Sequence, residues 1–103
     1  MTGWPVSAGA HEGRVRVIFH PLGAKLVPGD VLVCRGTDPA WTPLFLQAGA
    51  LVMETGGAVS HGSIVAREYG LPAVAGVAAA TERIKDGAYV RVNGETGEVT
   101  ILD

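Results

Sequence analysis

The sequence predicts an α/β domain built on a mixed sheet, and three observations carry that prediction. Short β-branched runs are bounded by Gly and Pro turns, two segments between them repeat apolar residues at helical spacing, and a glycine-bearing hairpin ends the chain. At 103 residues the chain fits one compact domain, 1–103, around a single core. The composition agrees, because 48% apolar and 17% charged residues leave ample material for burial and argue against disorder.

Apart from linker-like first residues, the chain reads as one continuous fold. Val15 to Phe19 is β-branched and partly alternating, and the turn residues Pro28-Gly29-Asp30 precede a second strand, Val31 to Cys34. Trp41, Leu44, Phe45 and Ala48 then recur at three- and four-residue intervals. Thr42-Pro43 resembles an N-cap followed by a first-turn proline and Gly49 a stop, which predicts a short helix from Pro43 to Ala48. Leu51 to Met53 is a brief buried strand. A Gly-Gly turn leads into a helix from His61 to Tyr69, which Gly70 ends in a left-handed conformation and Pro72 prevents from resuming. Ala73 to Ala75 supplies another short strand. Finally, Tyr89 to Val92 and Val99 to Leu102 flank Asn93-Gly94-Glu95-Thr96-Gly97, whose glycines supply the positive φ values of a hairpin connection. These patterns do not fix the strand order.

Several function classes are disfavoured. The formal charge of -2 and the lack of any Lys/Arg-rich run give no footprint for nucleic acid. The single cysteine, Cys34, cannot form an intramolecular disulfide and reads as a small core residue in its apolar run. No charged n-region precedes an apolar stretch at the N-terminus. The longest mostly apolar stretch, Gly70 to Ala80, is broken by Pro72 and Gly76 and falls short of the ~20 residues of a membrane helix. A cytoplasmic domain without membrane contact is the expectation.

His61 is the residue with the most chemistry in its position. The unpaired N–H groups and dipole of a helix N-terminus favour an anion and disfavour an imidazolium, and a neutral imidazole has a free lone pair for attack on phosphorus. A phosphoryl group formed there would lie where helix amides can bind it. Gly56 and Gly57 let backbone approach phosphoryl oxygens, Ser60 suits an N-cap and hydroxyl donor, and Gly62 leaves access beside the ring. The residues alone leave two readings open, a catalytic histidine and a solvated cap residue beside an ordinary turn. Other candidates are weaker. His11, His20 and His61 show no close pair spacing for a metal site, so no metal is expected. Arg67 is a candidate phosphate ligand or, with Glu68, part of a solvated helix face. Thr37, Asp38 and Thr42 flank a turn where capping accounts for them, and Trp41 with Phe45 reads as core. The glycines lack the G-x-G-x-x-G spacing of a dinucleotide site.

The run Gly56-Gly57, Ser60-His61, Ala66-Arg67-Glu68, Gly70-Leu71-Pro72-Ala73-Val74 and Gly76 resembles the mobile phosphohistidine domain of phosphoenolpyruvate-utilising enzymes, which include phosphoenolpyruvate synthase, pyruvate phosphate dikinase and rifampicin phosphotransferase. Supporting matches extend from Ser7-Ala8-Gly9 through Pro28 to Val33 and Thr37 to Pro43 to the segment Gly94 to Val99. The resemblance implies a swivelling β/β/α domain in which His61 accepts phosphoryl from one active site and delivers it to another, with Gly56, Gly57, Ser60 and Gly62 around the phosphate and Thr37, Thr42 and Arg67 as supporting candidates. It further implies a transferase that is incomplete alone. Its partners would be an ATP-grasp nucleotide-binding domain and an acceptor or phosphoenolpyruvate/pyruvate domain, in the same or another chain. Mg²⁺ with ATP, or phosphoenolpyruvate, would be bound at those partner sites rather than by this domain. The sequence departs from the family at Ala58, where several members carry arginine, and at Val59, where many carry threonine. The alternative is a non-catalytic module that binds an anion or another domain through the same turn.

Overall fold

Three uninterrupted apolar runs become neighbouring strands with both faces covered. The computed structural model describes residues 1–103 as β1 (Trp4–Ser7), β2 (Ala10–Val17), β3 (Val31–Cys34), a 3₁₀ turn (Pro39–Trp41), α1 (Thr42–Phe45), β4 (Ala50–Met53), α2 (His61–Tyr69), β5 (Ala73–Ala75), α3 (Ala80–Arg83), β6 (Tyr89–Asn93) and β7 (Glu98–Ile101). All seven strands join one mixed sheet in the order β1-β5-β4-β3-β2-β6-β7. The neighbours from β2 to β5 are parallel, and the pairings of β1 with β5, β2 with β6 and β6 with β7 are antiparallel.

Alternation along β3, β4 and β5 divides their side chains between two clusters. Leu32, Cys34, Leu51, Met53, Ala73 and Ala75 pack with Trp41, Leu44, Phe45 and Ala66 from the helical side. Val31, Val33, Ala50, Val52 and Val74 pack on the other side with Val90, Val92 and Val99 of the hairpin and with Ala80 and Ile84. The result is three layers, helices over a parallel centre over a β hairpin, and it explains why the central strands read as continuous apolar runs: neither face meets water. β2 turns the corner between layers, since Ala10 to Arg14 pair with β6 and Val15 to Val17 with β3. No helix is long and apolar enough to cross a membrane.

The α/β class with a mixed sheet, the helix His61–Tyr69, its left-handed Gly70 (φ 69) and the terminal hairpin agree with the sequence reading. Other expectations need correction. The first residues are not a linker: Met1 exchanges hydrogen bonds with Val99, the Gly3 amide donates to the Gly97 carbonyl, Thr2 bridges to Glu98, and Trp4–Ser7 is an edge strand on β5. Strand β2 begins at Ala10 rather than Val15 and ends at Val17 rather than Phe19; its polar first half pairs with β6 instead of entering the parallel centre. The helix expected over Pro43 to Ala48 is Thr42–Phe45, and the capped proline lies one turn earlier, where the Asp38 side chain accepts from the Ala40 amide ahead of Pro39. The short helix α3 was not foreseen.

The two hairpin glycines do different work. Gly97 has the expected positive φ (83°), whereas Gly94 is required for close approach: a Cβ there would overlap the Ser7 carbonyl oxygen and lie 3.0 Å from the Ala73 amide nitrogen. Because backbone rather than a flexible side chain blocks the space, Gly94→Ala is expected to lower unfolding stability by about 1–3 kcal/mol, measurable as a reduced urea midpoint.

Candidate functional site

Parallel pairing of β3 with β4, which sets Cys34 opposite Met53, brings the loops after both strands to one end of the sheet. The pairing continues past the strands. The Glu54 amide donates to the Cys34 carbonyl (3.1 Å), while the Thr55 amide (2.9 Å) and hydroxyl (2.7 Å) donate to the Arg35 carbonyl. The β3 loop therefore lies against the Gly-rich loop, and Thr37 meets His61: Thr37 Oγ1 and His61 Nδ1 form a hydrogen bond of 3.0 Å, with the donor set by the ring tautomer. The half-buried ring also lies 6.3 Å from that of Phe45. Gly36, Thr37, Asp38, Met53, Thr55, Gly56, Ser60 and Gly62 line a recess of about 220 Å³ beside the N-terminus of α2.

The expected glycines and serine take specific positions. Gly56 has φ 95, a conformation that disfavours any side chain. Ser60 is the N-cap of α2, yet its side chain makes no capping hydrogen bond. Its hydroxyl turns back to donate to the Gly57 carbonyl (3.0 Å) and lies 3.0 Å from the Ser63 hydroxyl, which also donates to Gly57 (2.7 Å). The first amides of α2 are thus left without a side-chain cap, as helix geometry leaves them. Gly62 does not open access beside the ring. It is buried, and a Cβ there would lie 2.5 Å from Met53 Sδ and 2.7 Å from Thr37 Oγ1, so the glycine lets Thr37 approach the helix.

Arg67 is exposed on α2 beside Glu68, as the helix-face reading expects, and its guanidinium is directed at two backbone carbonyls. Its Nε donates to the Val6 carbonyl (2.7 Å) and its Nη2 to the Ala58 carbonyl. Thr42 begins α1 outside the recess lining, and Gly57 sits behind that lining as the acceptor for Ser60 and Ser63. His11 is removed from the site, with Nε2 2.7 Å from the Gly29 carbonyl, while His20 is exposed. No three His, Cys, Asp or Glu residues cluster in a metal-holding arrangement. Burial pushes the Cys34 thiol up to about 12, helped by the negative charge of Glu54, which suits a core residue.

Glu54, unremarkable in the sequence, starts the Gly-rich loop and holds α3. Its carboxylate accepts from the Thr81 hydroxyl and from the Thr81 amide (2.8 Å). The hydroxyl bond chiefly lowers its pKa, with the amide and the charge of Arg35 acting in the same direction against desolvation. The only advance sign was an acidic residue directly after an apolar strand.

The family model described as "PEP-utilising enzyme, mobile domain" matches residues 26–97. The chain belongs to this family of mobile domains. It is 53% identical over 102 residues to the rifampicin phosphotransferase of Streptomyces sviceus, an alignment covering 99% of this chain and 12% of that protein. It is 46% identical over 99 residues to the phosphoenolpyruvate synthase of Aeropyrum pernix, covering 94% and 12% respectively. Among solved structures, an Enzyme I (nEIt) protein superposes with a TM-score of 0.64 at 31% identity, covering 74% of this chain and 32% of that one. The chain thus spans about an eighth of the length of the two curated relatives.

Because folding lowers the pKa of Glu54, its contribution to stability is present above the ordinary carboxylate value of 4.5 and is lost as pH falls through the folded value. Glu54→Gln is expected to melt below wild type at pH 7, and the gap in melting temperature should narrow as pH drops below 4.5. A gap independent of pH would remove the carboxylate from this role.

Proposed function

We propose that His61 is a transient phosphoryl carrier, loaded by an ATP- or phosphoenolpyruvate-dependent partner domain and unloaded onto an acceptor such as pyruvate. The hydrogen bond between Thr37 and Nδ1 carries this reading, because it occupies one ring nitrogen and leaves Nε2 to face a donor. With Nδ1–H donating to Thr37 Oγ1, Nε2 holds the lone pair. It forms a bond to phosphorus while the bond from phosphorus to the leaving oxygen breaks, and that oxygen departs with the electron pair. The ring gains positive charge, which the Thr37 oxygen stabilises at Nδ1–H. Uncapped amides at the start of α2 can meet the phosphoryl oxygens, with Gly56 and Ser60 lining the approach, the Gly57 carbonyl holding the Ser60 and Ser63 hydroxyls, and Gly62 admitting Thr37 beside the helix. Delivery reverses the step toward an acceptor oxygen.

The family match and the names of the relatives support a phosphotransferase context. In this reading the nucleotide-binding and acceptor domains lie in the same or another chain, and the Mg²⁺ that phosphoryl transfer requires is held there with the donor. Ala58 and Val59, which bring no polar side chain to the loop, favour the second reading of a non-catalytic anion- or domain-binding module.

With cognate partner domains and labelled donor, the wild-type chain is expected to take an acid-labile, base-stable label, with phosphorus on Nε2 by nitrogen–phosphorus coupling. His61→Ala should take none, and Thr37→Val should retain its fold but label roughly tenfold more slowly, within the range of a lost positioning or proton-handling group. Equal labelling of wild type and His61→Ala would falsify the assignment. Undiminished partner binding by His61→Ala, without phosphohistidine from either donor, would select the binding module.

A further inference from the structure

We propose that Arg67 is a positioning residue that sets which way the Gly-rich loop points its amides, and is not a ligand of the phosphoryl group. For catalysis the proposal rests on the carrier reading of His61; the contact itself does not. Arg67 is on the same helix as His61, further toward its C-terminal end, and its guanidinium reaches two carbonyls, one on the distant strand β1 and one in the loop that leads into α2. Nε donates to Val6 of β1 at 2.7 Å, and Nη2 donates to Ala58 of the loop. No carboxylate pairs with it among the ion pairs of the fold, which link Arg14, Arg16 and Arg91 to acidic partners. Its charge is thus directed at two backbone oxygens, a use that suits the planar fork of arginine.

A trans peptide directs its N–H opposite to its C=O. The Gly57 carbonyl is held by the Ser60 and Ser63 hydroxyls, and the Ala58 carbonyl by Arg67. The paired N–H groups of those peptides, on Ala58 and Val59, therefore face away from the anchors, and neither donates to an acceptor within the chain. Every carbonyl anchor is supplied by α2 or its cap, so the loop keeps its orientation relative to the helix that carries His61. At two positions without polar side chains, backbone orientation is the remaining means by which the loop can meet an anion. Without the Arg67 bond, the peptide between Ala58 and Val59 has no side chain to fix its rotation.

Nuclear magnetic resonance relaxation on the 103-residue chain tests the contact directly. Amide order parameters of Ala58 and Val59 are expected to fall from the rigid value of about 0.85 to below about 0.6 in Arg67→Ala, with β3 and β4 unchanged. In labelling assays with partner domains, Arg67→Ala should reduce the maximal rate at saturating donor roughly tenfold to a hundredfold, as expected for misplacement of a reacting group. Half-saturation by donor should stay unchanged, and added guanidinium should restore part of the rate. Arg67→Lys keeps the charge without the fork; it should retain the fold, lose order at Ala58 and Val59 and label more slowly than wild type. This variant decides the matter should the alanine variant unfold. Wild-type loop order in Arg67→Lys, or a folded Arg67→Ala with unchanged order, overturns the proposal, as does a loss confined to donor half-saturation. Failure of wild type to label would sink the carrier reading, while the relaxation data would still decide Arg67.

Discussion

Parallel register between β3 and β4 is the constraint on which the site depends. Pairing Cys34 with Met53 and extending the hydrogen bonds through Glu54 and Thr55 leaves the following loops no choice but to run side by side. Thr37 and His61, 24 positions apart, meet as a consequence. A register slip of one residue would turn Leu51 and Met53 away from the helical layer and place Val52 there, so burial on both faces protects the pairing. The same apolar packing that stabilises the centre of the domain thereby fixes a polar contact at its end.

Close approach is the second theme. Gly62 lets the helix settle onto Met53 and Thr37, and Gly94 lets the hairpin turn press against Ser7 and Ala73. In both places the missing Cβ makes room for contact rather than for unusual backbone, since the left-handed conformations belong to other glycines, Gly56, Gly70 and Gly97 among them. Hydroxyl groups are used with similar economy. Ser60 and Ser63 both spend their bonds on the Gly57 carbonyl, so helix capping is given up in favour of holding the loop.

Much of this was legible in the sequence wherever a local rule is strong. Val31 to Cys34, Leu51 to Met53 and Ala73 to Ala75 announce strands because burial on both faces demands apolar residues throughout. Helix α2 was legible to the residue, because Gly70 and Pro72 end it sharply. What escaped depends on distant partners. Trp4 to Ser7 carries a proline and becomes a strand only by adding to β5, and α3 is held by a carboxylate 27 positions earlier in the chain. The site shows the same division. His61 and its glycines stood out through local spacing, whereas the Thr37–His61 contact and the bond from Arg67 to the Val6 carbonyl exist only once the sheet has assembled.

The bonds of residues 1–3 to β7 have a mechanical consequence. Met1 lies against Val99, and Leu102 and Asp103 bond to Tyr89 of the adjoining strand, so both ends of the domain are tied to the same two-stranded edge. Load applied at either end would therefore fall first on β6 and β7 at one side of the sheet. The Thr37–His61 pair, made by the loops after β3 and β4, lies on other strands of that sheet and is separated from such load by the packed centre.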